Sequence, residues 1–274
     1  MSVVSAIVLA AAALCATMAV AWLVAIRTGS SGWVDAIWSF AVGIIGAFLA
    51  LVPFVEGDND HRRWLVALLA LVWSLRLGVH IAGRTIGDSR DDPRYRQLKQ
   101  QWGASSSSRL FWFLQVQAAA AFLLAMSIMA AAHKPAPELG PGDWIGVAIW
   151  VVAIGGEALA DRQLNAFRGD PRNKGKVCDV GLWRLSRHPN YFFEWLGWLA
   201  YMAIAIGSPW AYPWGFAALA GPILMYWLLV HVSGIPPLEA HMLRSRGVQF
   251  RRYQERVNAF WPGVPIAATT REGT

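Results

Sequence analysis

Seven long apolar runs, separated by polar stretches, limit what this chain can fold into. They lie at roughly 3–26, 33–55, 64–81, 110–132, 144–159, 191–206 and 210–232, each about 16–24 residues long. About 20 apolar residues in a helix cross the hydrocarbon of a bilayer. A soluble domain carries roughly 25 % charged residues, whereas this chain of 274 residues carries 15 %, with 56 % hydrophobic. The spacing predicts an all-α integral membrane protein of about seven transmembrane helices. The fifth and sixth runs are short, so they either continue into polar helix or line a cavity. Several of the sixteen Trp, among them Trp33, Trp64, Trp144, Trp210 and Trp214, sit near run ends, where an amphipathic ring suits the headgroup level. No basic residue precedes the first run, which reads as a retained span and not a cleaved signal.

Charge sets the expected orientation. Of the 24 Lys and Arg, 20 fall in stretches 27–32, 82–109, 160–190 and the tail from 233. The alternate stretches, 56–63 and 133–143, hold three. Basic loops stay cytoplasmic, so the N-terminus is expected outside and the tail inside. The net charge of +7 is explained by this asymmetry, and no nucleic-acid partner is expected. The two cysteines, Cys15 and Cys178, imply neither a disulfide framework nor a metal site.

Ionisable residues within a span are costly in lipid and are candidates for function. The second run holds Asp35, with Trp38 and Ser39 on the same helical face. The third holds Arg76 and His80 four apart, with Trp73 three before. The fifth ends in Glu157, Asp161 and Asn165 at four-residue spacing, which puts them on one face, and Arg168 extends it. A helix-end carboxylate, a structural ion pair and a solvated helix end are the corresponding plain readings. The stretch 168–194 then gathers Arg168, Arg172, Lys174, Lys176, Arg184, Arg187 and His188. Cations in that number suit a phosphate-bearing ligand, and they also satisfy positive-inside charge alone. The order Ser186-Arg187-His188-Pro189-Asn190-Tyr191 adds more. Pro189 can open a helix, Asn190 and Glu194 stand one turn apart on it, and a helix N-terminus favours an anion.

The segment SRHPNYFFEWLGW, taken with GWVDAIWSF, WSLRLGVHIAGR, DDPRYRQLKQQWG, KGKVCDVGLW and SGIPPLEAHMLRSRGVQFRRYQERVNAFWP, resembles the steroid 5α-reductase-like membrane proteins, bacterial members included. The resemblance runs from about residue 32 to 262. It implies seven transmembrane helices around a cavity, with cytoplasmic loops closing over NADPH. It also implies one reductase domain over 1–274, whose cofactor-binding half is roughly 144–262. Asp161, Arg168, Asn190 and Glu194 match cofactor-site positions, with Asn165 on the same face as the first two. Lys176, Arg187, His188 and Tyr191 accompany them, and Glu239 and Tyr253 in the tail help cover the cofactor. Asp35, Arg76 and His80 fall on the substrate side as candidate catalytic groups, and no metal is implied.

Two departures stand out. The steroid reductases carry a Gln-Glu pair where this chain has only Asp35, and a Tyr three residues before the third-span Arg, where this chain has Trp73. Asp35 can donate a proton only if protonated, which apolar surroundings favour; His80 or a water held by Arg76 are the alternatives. The implied activity is NADPH-dependent reduction of the carbon–carbon double bond of an α,β-unsaturated ketone, a 3-oxo-Δ4-steroid or a related sterol. The substrate would enter from the bilayer, and the protein would act as a monomer among the lipids of a bacterial inner membrane. Membrane methyltransferases that use S-adenosylmethionine also carry an Arg-His-Pro-x-Tyr stretch followed by a Glu and form the second reading. A non-enzymatic lipid carrier is the third.

Overall fold

The computed structural model describes residues 1–54, 60–87, 93–206 and 212–266, and Trp210, expected at the head of the last apolar run, lies outside them. The described residues are helical, with no strand among them. The helices are α1 (Val3–Thr28), α2 (Gly32–Leu51), α3 (Asp60–Gly87), α4 (Pro93–Trp102), α5 (Ser106–Ala132), α6 (Pro141–Gly169), α7 (Pro189–Ala205), α8 (Ala220–Trp227), α9 (Ile235–Arg246) and α10 (Val248–Arg256).

Six helical stretches among the described residues are long and apolar enough to cross a membrane: α1, α2, α3, 94–132, α6 and 213–246. The chain is therefore read as an integral membrane protein. The sixth apolar run forms α7, only 17 residues long. At 1.5 Å per residue that is about 25 Å, a little under the roughly 30 Å hydrocarbon thickness. The fifth run does continue into polar helix, since α6 extends to Gly169 and carries Glu157, Asp161, Asn165 and Arg168. The last run is not one regular helix. It enters as a 3₁₀ stretch from Pro213, passes through α8, and leaves as a π-helical turn over Leu228–Val232. Gly234 ends it where a Cβ would lie 2.4 Å from the Leu229 carbonyl oxygen, so only glycine fits.

The chain forms two compact units. The first comprises residues 1–146 and 201–224. Here α1 buries Ala6, Ala10, Leu14, Met18, Ala21 and Ala25, one helical stripe, and leaves its other face exposed, as a lipid-facing helix does. A Cβ on Gly43 of α2 would lie 2.1 Å from the Ser74 Cβ of α3. Small residues at such a crossing let two membrane helices approach, and the Ser74 hydroxyl donates to the Ser39 carbonyl at 2.9 Å.

A fully buried arginine staples the helix ends of this unit. Arg62 of α3 donates from Nε and Nη2 to Asp143 at 2.8 and 3.1 Å. It also donates to the carbonyls of Lys134, Ala136 and Glu138 at 3.0, 2.9 and 2.5 Å. Both side chains of the pair are 0 % exposed.

The second unit comprises residues 147–200 and 225–274. Gly156 of α6 faces Phe193 of α7 so closely that a Cβ would meet the ring at 2.3 Å. The tail folds back through α9 and α10, and Phe250, Tyr253 and Val257 form a small core with Val177, Met242 and Leu243. Beyond α10 the chain runs beside the segment before α7. The Arg187 N–H donates to the Asn258 carbonyl, and the Gly263 N–H to the Leu185 carbonyl, each at 2.9 Å.

Candidate functional site

The basic stretch before α7 owes its path to glycines and to bonds with α6 and the tail. Gly175 and Gly181 have φ of 84° and 56°, a left-handed conformation that glycine adopts without cost. The Gln163 side chain accepts from the Leu182 N–H at 2.9 Å, and the Trp183 indole donates to the Ala160 carbonyl at 2.9 Å. These bonds pin the loop to α6 beside Asp161. From the other side the Tyr253 hydroxyl donates to the Trp183 carbonyl, and the Ser186 hydroxyl donates to the Phe260 carbonyl at 3.0 Å.

Glu239 is the hub of this region. It accepts from Arg187 Nε and Nη2 at 2.7 and 3.2 Å, from His188 Nε2 at 3.0 Å and from the Gln254 amide at 2.7 Å. The other guanidinium nitrogen of Arg187 donates to the Gln254 and Val257 carbonyls. A carboxylate serving this many donors only accepts, so His188 Nε2 must carry its hydrogen. Burial holds the His188 imidazole below its ordinary value, against the opposing pull of Glu239. Burial thus favours the neutral ring, in which Nδ1 is a lone-pair acceptor. That atom is buried and has no hydrogen-bond partner among the described residues. The imidazole stacks on Tyr191, ring centroids 5.4 Å apart and planes 9° apart, so it lies over the first turn of α7.

On that turn the Asn190 amide reaches Asp161 Oδ1 at 3.5 Å. One turn further, buried Glu194 accepts from the Trp198 indole at 3.0 Å. Burial pushes the Cys178 thiol up to about 11 and raises the Tyr253 phenol further, so neither ionises near neutrality.

The expected cofactor residues thus separate into groups. Arg187, His188, Glu239 and Tyr253 meet in the tail clamp. Asp161 and Asn190 meet across α6 and α7, and Tyr191, next along α7, stacks on His188. Asn165, Arg168 and Lys176 are exposed. Arg187, one of the expected cofactor residues, gives its donors to Glu239 and the tail carbonyls.

The substrate-side candidates lie in the first unit. Asp35 is ion-paired with Arg94 of α4 and accepts from the Tyr95 hydroxyl at 2.9 Å. Tyr95, 3 % exposed, accepts in turn from the Gln117 amide at 3.0 Å, and the Trp38 indole donates to the Gln117 carbonyl at 3.0 Å. Arg94 and Tyr95 thus meet the two oxygens of Asp35 one each. Arg76 and His80 are half-buried, one turn apart on α3. Sequence reasoning missed Arg94, Tyr95 and Gln117 as a cluster. The first two belong to the polar stretch DDPRYRQLKQQWG, and only the packing of α4 reveals their partners.

A family described as a protein of unknown function (DUF1295) matches residues 21–257. The chain belongs to this family. The match includes every candidate residue from Asp35 to Tyr253. A relative from Schizosaccharomyces pombe, the "Uncharacterized protein C594.04c", is 26 % identical over 270 residues, covering 89 % of this chain and 76 % of that protein. No solved structure matches the chain.

Proposed function

We propose that this DUF1295 protein is an NADPH-dependent membrane reductase of an α,β-unsaturated ketone, with 3-oxo-Δ4-steroids or related sterols as its substrate class. The family is associated with steroid 5α-reductase-like proteins, which agrees with the sequence resemblance. The observation that carries the reading is the unpartnered Nδ1 of His188 at the head of α7. A buried polar atom without a partner calls for an explanation, and a ligand completing the network supplies one.

The residues present fit a dinucleotide. Exposed Arg168 and Lys176 can take phosphates, the α7 N-terminus favours an anion, and Asn190, Asp161 and Tyr191 offer polar and stacking partners. When bound, NADPH supplies the hydride for the β-carbon of the ketone. Glu239, Arg187 and Tyr253 hold the tail against the loop, and His188 is presented in one tautomer. On the substrate side, Asp35, Arg76 and His80 remain the candidate groups for the ketone. In this reading α7 is the seventh span, the loops and tail face the cytoplasm and close over a cofactor cavity, and the substrate arrives from the lipids of a bacterial inner membrane. The protein acts as a monomer.

The direct test is chemical. Purified protein in detergent, given NADPH and androst-4-ene-3,17-dione, should yield a product heavier by two hydrogens in mass spectrometry. Transfer of a methyl group from S-adenosylmethionine to a lipid, with no reduction, would replace this reading by the methyltransferase one. Topology has its own check. A reporter fused after Pro262 should read cytoplasmic, one inserted at Gly140 non-cytoplasmic, and the same side for both would overturn the orientation.

A further inference from the structure

We propose that a groove beside the first turns of α7 binds an acyl chain of an anionic glycerophospholipid, with Arg184 at its edge for the headgroup phosphate. The groove has a volume of about 440 Å³, within the roughly 300–1,000 Å³ of small-molecule sites. It lies within the second unit. The loop before α7 contributes Leu182 and Leu185, α7 contributes Phe192 and Trp195, and the tail contributes Trp261 and Pro262. These walls are tied to one another. The Gly263 N–H donates to the Leu185 carbonyl at 2.9 Å, and the Ser186 hydroxyl donates to the Phe260 carbonyl at 3.0 Å. Trp261 meets Trp195 and Phe192 edge-on, at 5.1 and 6.0 Å between ring centroids. A site formed in advance spares the ordering cost of binding. At 3.6 residues per turn, Phe192 and Trp195 fall on the side of α7 away from Asn190 and Glu194, so the groove is separate from the residues proposed for NADPH.

The composition of the walls points to the occupant. No residue lining the groove carries a carboxylate, a hydroxyl, an amide or a cation on its side chain. A ketone-bearing ligand needs polar groups to fix its orientation, whereas a hydrocarbon chain needs none. The groove sits where the basic stretch 160–190 meets the apolar run 191–206. That boundary is the headgroup level of a bilayer, which Trp195 and half-exposed Trp261 suit. Beyond Pro262 the exposed Val264 and Ile266 extend the apolar surface along the tail, as on a surface laid into lipid. Charge completes the match. Arg184, between Leu182 and Leu185 in the chain, is exposed and in no ion pair among the described residues. Arg187 and Arg256 are by contrast spent on Glu239 and Asp179. A cation beside an apolar groove fits an amphiphile, with hydrocarbon inside and phosphate at the edge. Such a site needs only a bilayer around the chain, and it stands whether or not the protein is a reductase.

The full chain is reconstituted in vesicles of equal parts dioleoylphosphatidylcholine and dioleoylphosphatidylglycerol, extracted in mild detergent and weighed by native mass spectrometry. The parent should retain one phospholipid. Phosphatidylglycerol should be preferred by about fivefold, the scale of one basic side chain near an anionic lipid. Arg184→Gln should keep the lipid and lose the preference. Leu185→Asp, which sets a carboxylate against the hydrocarbon, should lower retention by about tenfold or more. Val180→Asp makes the same charge change at an exposed position of the same loop outside the groove, and it should retain lipid as the parent does. Phosphatidylglycerol carrying a diazirine at the chain end should label the groove residues of α7 and the tail more densely than the exposed face of α1. A parent that retains no phospholipid, a Leu185→Asp chain that retains it in full, a Val180→Asp chain that loses it equally, or a label as dense on α1 overturns the proposal. An unchanged preference in Arg184→Gln overturns the headgroup assignment. Displacement of the lipid by androst-4-ene-3,17-dione gives the groove to the substrate, and a second copy of the chain in place of the lipid makes it an interface; either result overturns the lipid site. No arm contains NADPH, so failure here is distinct from failure of the reductase reading.

Discussion

In each unit an arginine is bidentate on an acid at the centre of a network, Arg62 on Asp143 and Arg187 on Glu239, and the two networks end differently. Arg62, buried in the first unit, places all five N–H groups on Asp143 and three carbonyls. Arg187, in the second, is also bidentate on an acid, but Glu239 shares itself with His188 and Gln254, and the network stops at His188 Nδ1, which has no hydrogen-bond partner among the described residues. A network with every donor spent is a staple: it joins helix ends and has no capacity left for a ligand. A network that ends on a buried acceptor keeps capacity, at a cost of about 1–3 kcal/mol for the missing bond. The difference separates a network whose donors are all spent within the fold from one that keeps an open acceptor among the described residues.

The largest effect is expected at the closed network. Arg62→Met would leave Asp143 buried without its cation, and breaking such a pair costs about 3–5 kcal/mol. Thermal unfolding in detergent, followed by Trp fluorescence, should show a steep loss of stability, with unchanged NADPH affinity in the folded fraction. A melting temperature close to the parent's would mean that the staple is not one.

Glu239→Gln should act on a smaller scale and more locally. It removes the charge on which Arg187, His188 and Gln254 converge, a loss of about 1–3 kcal/mol for bonds to an ionised group. Trypsin should then cut faster at Arg251 and Arg252, which lie on α10 in the tail, and NADPH should bind about tenfold more weakly, the equivalent of 1.4 kcal/mol. Uniform destabilisation with no gain in tail cleavage would erase the contrast between the two networks.

The smallest effect is the pH dependence at His188. Its folded value lies below the ordinary 6.5 because burial disfavours the charged ring. As pH falls through that ordinary value the unfolded chain takes up its proton first. The contribution is therefore complete above about 6.5 and is lost as pH falls towards the folded value, by at most about 1.4 kcal/mol per pH unit. Melting temperatures at pH 7.5 and 5.5 should differ more for the parent than for His188→Gln. An equal fall in both would show that His188 does not hold its neutral form against the proton.

The apolar runs made most of the fold legible. The expected run 3–26 lies within Val3–Thr28, and 110–132 within Ser106–Ala132, because lipid-length apolarity and helix are nearly the same signal. The polar extensions were less visible: α6 runs on to Gly169, and α4, α9 and α10 lie in stretches that read as loops. Their helices are set by contacts such as Phe250 and Tyr253 packing on Met242 and Leu243, which hydropathy does not see. The loop before α7 was readable from Pro189 and its neighbours. The partners of Asp35 were not, since Tyr95 lies 60 positions away and no spacing rule connects them. Arg62 read as one loop charge among others, and its five acceptors come from residues 72 to 81 positions further on.

The central claim, that the loop and first turn of α7 hold NADPH, is tested most directly by calorimetric titration of the purified chain with NADPH and with S-adenosylmethionine. The account predicts saturable binding of NADPH that S-adenosylmethionine does not displace. It also predicts that Asn190→Ala weakens NADPH by more than about 1 kcal/mol, roughly fivefold, the scale of a lost buried hydrogen bond. Saturable binding of S-adenosylmethionine with none of NADPH would contradict it.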